Sequence, residues 1–239
     1  MKDTDETDVM TILSEIAELI RATSRQALPI LAEASAVMRA NGWWVLETLT
    51  VRQYEAIVHA KGKLTPEALT DALVRFYTID RINALAARWN TEPYKARRDV
   101  FAQVLWAHSH ARYFLSTTVA VLQLEGVLRE HSRDQHGICA YPFGTIRNEL
   151  ARRFMKLEQM PPDRPLDADD LRALNNYVNL AVFEKLFTSF DPTQESEPDL
   201  LNRHAIAHGV AIANGTQANS LRAILMLNTI HSLIEQLTP

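Results

Sequence analysis

Two histidines four residues apart, with an arginine directly before the first, are the residues of this 239-residue chain best suited to chemistry. They are Arg203, His204 and His208 in the run Asn202-Arg203-His204-Ala205-Ile206-Ala207-His208-Gly209. On a helix, positions i and i+4 share a face, so His204 and His208 make half of a zinc site. The hydrolytic form of that site needs a glutamate right after the first histidine, and Ala205 stands there. The lone cysteine, Cys139, excludes a cysteine-based zinc site. A third ligand would have to come from His108, His110 or a distant carboxylate, and no metal is expected. The other pairing is Arg203 with His208. An arginine followed closely by a histidine also occurs at Arg52/His59 and Arg129/His136, so spacing alone does not select. The first pair lies on a helix without other unusual residues, and the second is expected to run off a helix end into a loop. Only the third has a polar residue on each side of the arginine and a glycine after the histidine.

In that context the run from Leu201 to Gly209, followed by Asn219-Ser220-Leu221 at the opening of the last apolar helix, resembles the C-terminal signature of HEPN domains. The segment Leu122-Gln123-Leu124-Glu125-Gly126-Val127-Leu128 is similar to one that accompanies this signature in bacterial members. The resemblance covers residues 97–237. It implies an all-helical domain and a homodimer that brings two copies of the motif across one groove. In many members it also implies an endoribonuclease that needs neither metal nor other cofactor. It assigns catalysis to Arg203, His208 and His204, with Asn202 and Glu125 in support. Duty as a toxin or antiphage effector, with an antitoxin or regulatory protein as partner, is likewise an implication of the family. One toxin subgroup carries a tyrosine two residues after the motif histidine; Val210 occupies that position here, so regulation through that tyrosine is not expected.

The residue types suit such a reaction. RNA carries its own nucleophile, the 2′-hydroxyl, beside the scissile phosphate. Cleavage needs a base for that proton, an acid for the departing 5′-oxygen, and a cation for the phosphorane. Histidine serves as base or acid near neutrality, and arginine stays charged and grips phosphate oxygens. On one helix Arg203 and His208 would diverge by about 140°, so a single copy makes a poor two-residue site. The competing reading is a non-catalytic HEPN-type nucleotide- or RNA-binding or assembly module. In it Arg203 pairs with Asp199 at i−4 and His208 only caps a helix end.

Glu125 stands among apolar helical neighbours, Val121, Leu122 and Leu128. A buried carboxylate must be paired or protonated. It either orients Arg203 or His204, or reaches Arg129 at i+4. Arg147, Arg152, Arg153 and Lys156 give residues 145–158 a basic face that could track an RNA backbone, or simply be solvated. Trp43, Trp44, Trp89 and Trp106 could stack on bases, though tryptophan on helices is more often core.

The elements that must position these residues read as helices throughout. Apolar residues are 47% and charged residues 23%, and Gly (7) and Pro (10) are too few for a sandwich or barrel. Helical periodicity predicts helices over 8–40 (kinked or divided at Pro29 and ended by Asn41-Gly42), 43–60, 66–77 and 80–89. Residues 94–110 and 111–130 form one long helix or two abutting ones, with a loop over 131–143. Further helices are expected over 145–158, from Asp167 or Asp169 to about Phe190, over 199–208 and over 218–237. The fold class is an all-α multi-helix bundle, with residues 1–93 as a helical N-terminal region and 94–239 as the HEPN-like domain. The acidic N-terminus, Met1 to Glu6, lacks the apolar core of a secretory signal, and no apolar run is long enough to span a bilayer. These features point to a cytoplasmic protein without a membrane partner. The net charge of −4 confines any RNA contact to a local patch.

Overall fold

The computed structural model describes residues 29–136 and 201–237, together with isolated helical positions at 148, 152, 155, 156, 170, 172, 173, 175, 176, 179, 186 and 187; for 135 and 136 it describes the backbone alone. The protein is all-α, and among the described residues there is no strand. We number the continuous helices α1 (29–40), α2 (Val51–Ala60), α3 (Pro66–Phe76), α4 (Ile79–Ala86), α5 (Arg98–Ser109), α6 (Tyr113–His136), α7 (Arg203–Ala207) and α8 (Gln217–Leu237). Among the described residues no helix is long and apolar enough to cross a membrane.

The axis of the bundle is α8. From Ser220 to Ile234 every residue except Arg222 is buried, as expected of a helix surrounded by protein. It packs chiefly against α6, and also against α3, α4 and α5. Several of its buried polar groups find partners on other elements. The Asn228 amide accepts from the Trp89 indole at 3.2 Å and donates to Glu47 at 3.0 Å. Thr229 accepts from the Trp44 indole at 3.1 Å, and the Leu227 carbonyl accepts from the Tyr94 hydroxyl at 2.6 Å. Three of the four tryptophans are thus core residues, as expected. Trp106 is not: it is 56% exposed and stacks on His110, ring centroids 4.6 Å apart, at the last turn of α5. One hydrophobic core runs from Leu31 to Ile234, so it crosses the seam expected near residue 93.

Two expected boundaries are corrected. Trp43 to Thr50 is irregular rather than helical. Trp43 and Trp44 are locked by bonds from their indoles to Thr70 and Thr229, while the Tyr54 hydroxyl bridges the Leu46 N–H and carbonyl at 2.7 and 2.6 Å. The helix begins only at Val51, behind a capping box of Thr50 and Gln53. Residues 131–136 continue α6 instead of opening a loop, and 137–143 lie outside the described residues. Residues 8–28 do as well.

α1, α5 and α7 end in the same way. In each, the residue after the cap takes a positive φ, and two backbone bonds close the Schellman motif. At α1 these are Gly42 N–H to Arg39 and Trp43 N–H to Met38; at α7, Gly209 N–H to Ile206 and Val210 N–H to Ala205. At α5 the positive-φ residue is Ala111, φ +56°, with bonds from Ala111 to His108 and Arg112 to Ala107. That turn splits the long central helix into α5 and α6.

Candidate functional site

α6 and α7 meet at the motif. α7 is only five residues long, too short to persist by helix propensity, and its ends are held by its own capping residues. Asn202 is the N-cap: its side-chain oxygen accepts from the Ala205 N–H at 3.0 Å. His208 is the C-cap, and Gly209 follows with φ +70°. Asn202 therefore supports the site by shaping α7.

Arg203 leaves α7 toward α6, where Glu125 receives it. Glu125 is 9% exposed. Its Oε2 pairs with Arg203 Nη2, and its Oε1 accepts from Arg129 Nε and Nη2, each at 2.7 Å. The two partners considered as alternatives, Arg203 and Arg129, are both engaged. One carboxylate between two guanidinium groups leaves the cluster with a net positive charge. The Arg203 Nε is buried without a hydrogen-bond partner, so Glu125 alone ties this guanidinium to the protein among the described residues. Asp199, the other expected partner of Arg203, lies outside the described residues.

His204 and His208 face each other one helical turn apart, with ring centroids 6.4 Å apart and planes 20° from parallel. His204 is half-buried and His208 exposed. Among the described residues neither ring makes a hydrogen bond, and no cluster of three or more His, Cys, Asp or Glu side chains is placed to hold a metal ion. The donor set at His204/His208 remains two nitrogens, short of the three or four that zinc requires.

The surroundings divide into two kinds of surface. Toward its N-terminal end α6 exposes Phe114, Leu115 and Leu122, and the loop after α7 exposes Val210 and Ile212, the last at 77%. Leu115 and Leu122 are seven residues apart and so share a stripe, which continues one turn on to Glu125 and Arg129. Toward the other end the exposed residues of α6 among those described are Arg129, Arg133 and Asp134, the last two paired with each other. Of the expected basic helix, Arg152 and Lys156 are helical and exposed, while Arg147 and Arg153 lie outside the described residues.

Arg129 is the residue that sequence reasoning undervalued. It entered as one of the discarded arginine–histidine pairs and as an alternative partner of Glu125, yet its i+4 spacing brings it into the same cluster as Arg203. Arg97 was missed altogether. It lies across Gly126, where an added Cβ would stand 3.5 Å from its Nη2, and binds Glu130 at 2.6 Å and Gln123 at 3.2 Å. Gly126 thus marks a close approach on the flank of Glu125, and the glycine was the available signal. Comparison with protein-family models, curated proteins and solved structures finds no match to this chain.

Proposed function

We propose that this protein is a metal-independent endoribonuclease of HEPN type that works as a homodimer. The single observation behind this reading is Arg203, tethered by the buried Glu125 at the start of the short helix that His208 caps, with the exposed His208 ring making no hydrogen bond among the described residues. Glu125 engages one terminal nitrogen of the guanidinium and leaves Nη1 for a phosphate oxygen. A guanidinium already fixed in this way loses less freedom on binding. His208 is the acid/base and His204 a polar auxiliary. The 2′-oxygen attacks phosphorus as a base takes its proton, and the P–O5′ bond breaks as an acid protonates the leaving oxygen. The products are a 2′,3′-cyclic phosphate and a 5′-hydroxyl. The second copy supplies the second histidine. The exposed stripe of Leu115 and Leu122, with Val210 and Ile212, is the apolar rim against which that copy would pack. Arg129, Arg133, Arg152 and Lys156 suit the RNA backbone, and a role in toxicity or antiphage defence, with an antitoxin or regulatory partner, would follow from such an activity in the cytoplasm.

The second reading, a binding or assembly module, draws support from the capping. Asn202 and Gly209 are accounted for by the ends of α7, and Arg203 by Glu125. The two readings separate on the nucleophile. A mixed RNA oligonucleotide should be cut to products with cyclic phosphate ends, and the same oligonucleotide methylated at every 2′-oxygen should bind and remain intact. Cleavage of the methylated strand would refute the mechanism, and binding of both strands without cleavage would establish the module.

A further inference from the structure

Five stretches of chain line a half-open cavity of about 280 Å³. Leu31 of α1 and Leu49 of the irregular segment form its apolar wall, and Glu47, Arg88, Arg172 and Asn175 its polar one. The charges are sorted by partners. Glu47 presents one carboxylate oxygen to the Asn228 amide at 3.0 Å, and its other oxygen has no bonded partner among the described residues. The side-chain oxygen of Asn175 is buried and accepts no hydrogen bond. The Asn175 oxygen is thus a buried acceptor without a donor, which is costly, and the half-buried Glu47 carboxylate adds a negative charge to the same wall. Arg88 carries no ion pair among the described residues, and its backbone is fixed by the bond from its N–H to Leu85 and by the buried Trp89 that follows. Arg172, which already has an interaction partner of its own, lines the same wall and adds its positive charge to it.

We infer that this cavity binds a small zwitterion, an oxyanion held by Arg88 and Arg172 and an ammonium group held by Glu47 and the Asn175 oxygen, with a short aliphatic portion against Leu31 and Leu49. Guanidinium groups match carboxylate and phosphate equally in charge and geometry, so the oxyanion is either. The volume lies just below that of sites for drug-sized ligands and suits a molecule no larger than an amino acid. The inference is independent of RNA cleavage, because none of these residues belongs to the Arg203 cluster.

The test is calorimetric titration of the full chain with L-leucine, which carries a carboxylate, and with phosphoethanolamine, which carries a phosphate. Isovalerate, which lacks the ammonium, runs beside them. One zwitterion is expected to bind, and which one does identifies the oxyanion. Arg88→Ala, at an exposed position, should weaken it at least about tenfold, the worth of a charge-assisted hydrogen bond. Glu47→Gln keeps an oxygen for Asn228 and should weaken the zwitterion by a similar factor while leaving isovalerate unchanged. Thermal melts of both unliganded variants confirm that they are folded. No heat from either zwitterion up to about 10 mM, where even a weak site would be filled, overturns the inference. So does binding that both variants retain.

Discussion

Removing the carboxylate of Glu125 should be the most damaging single change at the motif, and its size can be worked out from the three contacts. The pair with Arg129 is an i, i+4 couple whose arginine is half in water, worth about 0.3–0.5 kcal/mol. The pair with Arg203 differs. Its guanidinium is 26% exposed and its Nε is buried without a partner. Truncating one side of a fully buried pair costs roughly 3–5 kcal/mol, and the quarter of Arg203 that remains in water lowers this to about 2–3 kcal/mol. Glu125→Ala should therefore lose about 2–3 kcal/mol in urea melts with an unchanged slope. For a chain of this length that corresponds to a fall in Tm of roughly 4–12 °C. Arg129→Ala should lose no more than about 0.5 kcal/mol. If the two variants lose equal stability, or if Glu125→Ala stays within about 0.5 kcal/mol of the parent, then Glu125 is not what holds Arg203.

Three further outcomes are expected. Ala111 holds φ +56° at the junction of α5 and α6, a conformation that suits glycine, so Ala111→Gly should raise stability by about 1 kcal/mol in the same melts; a loss would mean that the backbone there is not strained. Burial lowers the pKa of His231 to about 4, with Glu47 opposing the shift and Arg88 and Arg172 adding to it. Between that value and the unfolded value of about 6.5 the unfolded chain binds the extra proton, so stability is full above pH 6.5 and should fall by about 3 kcal/mol as pH drops toward 4. His231→Gln should flatten most of that slope, and an unchanged slope would contradict the assignment. Leu122→Glu, on the exposed stripe of α6, should convert a dimer seen by light scattering into a folded monomer that no longer cuts RNA. A parent protein that is already monomeric would remove the dimer from the account.

The local signals that were legible in the sequence are those set by backbone geometry. Thr65-Pro66-Glu67 opens α3 and Gly42 closes α1 as expected, because capping residues act within one turn. Trp43 to Thr50 was misread because an apolar run has no period that separates a buried helix from a buried irregular segment. The capping box at Thr50 and Gln53 was the signal that marked the true start. The break between α5 and α6 falls where two abutting helices were one of the two expectations, but nothing in Ser109-His110-Ala111 chose that arrangement over one long helix, since alanine has no preference for positive φ. At the motif, Glu125 was legible as a charge among apolar neighbours. That it serves two arginines was not, because Arg203 reaches it from 78 positions away along the chain, by tertiary packing of α7 on α6.

The central claim is that Arg203 and His208 carry out metal-free chemistry on RNA. It is tested most directly by incubating the purified chain with mixed single-stranded RNA in EDTA, with His208→Ala in parallel. His208 is exposed, so the variant should melt within about 0.5 kcal/mol of the parent. The parent should cleave in the chelator, and the variant should be slower by at least about 100-fold, the usual worth of a positioned acid or base. A parent that leaves every RNA intact, alongside a His208→Ala protein that is destabilised, would make the motif a structural helix end and contradict the account.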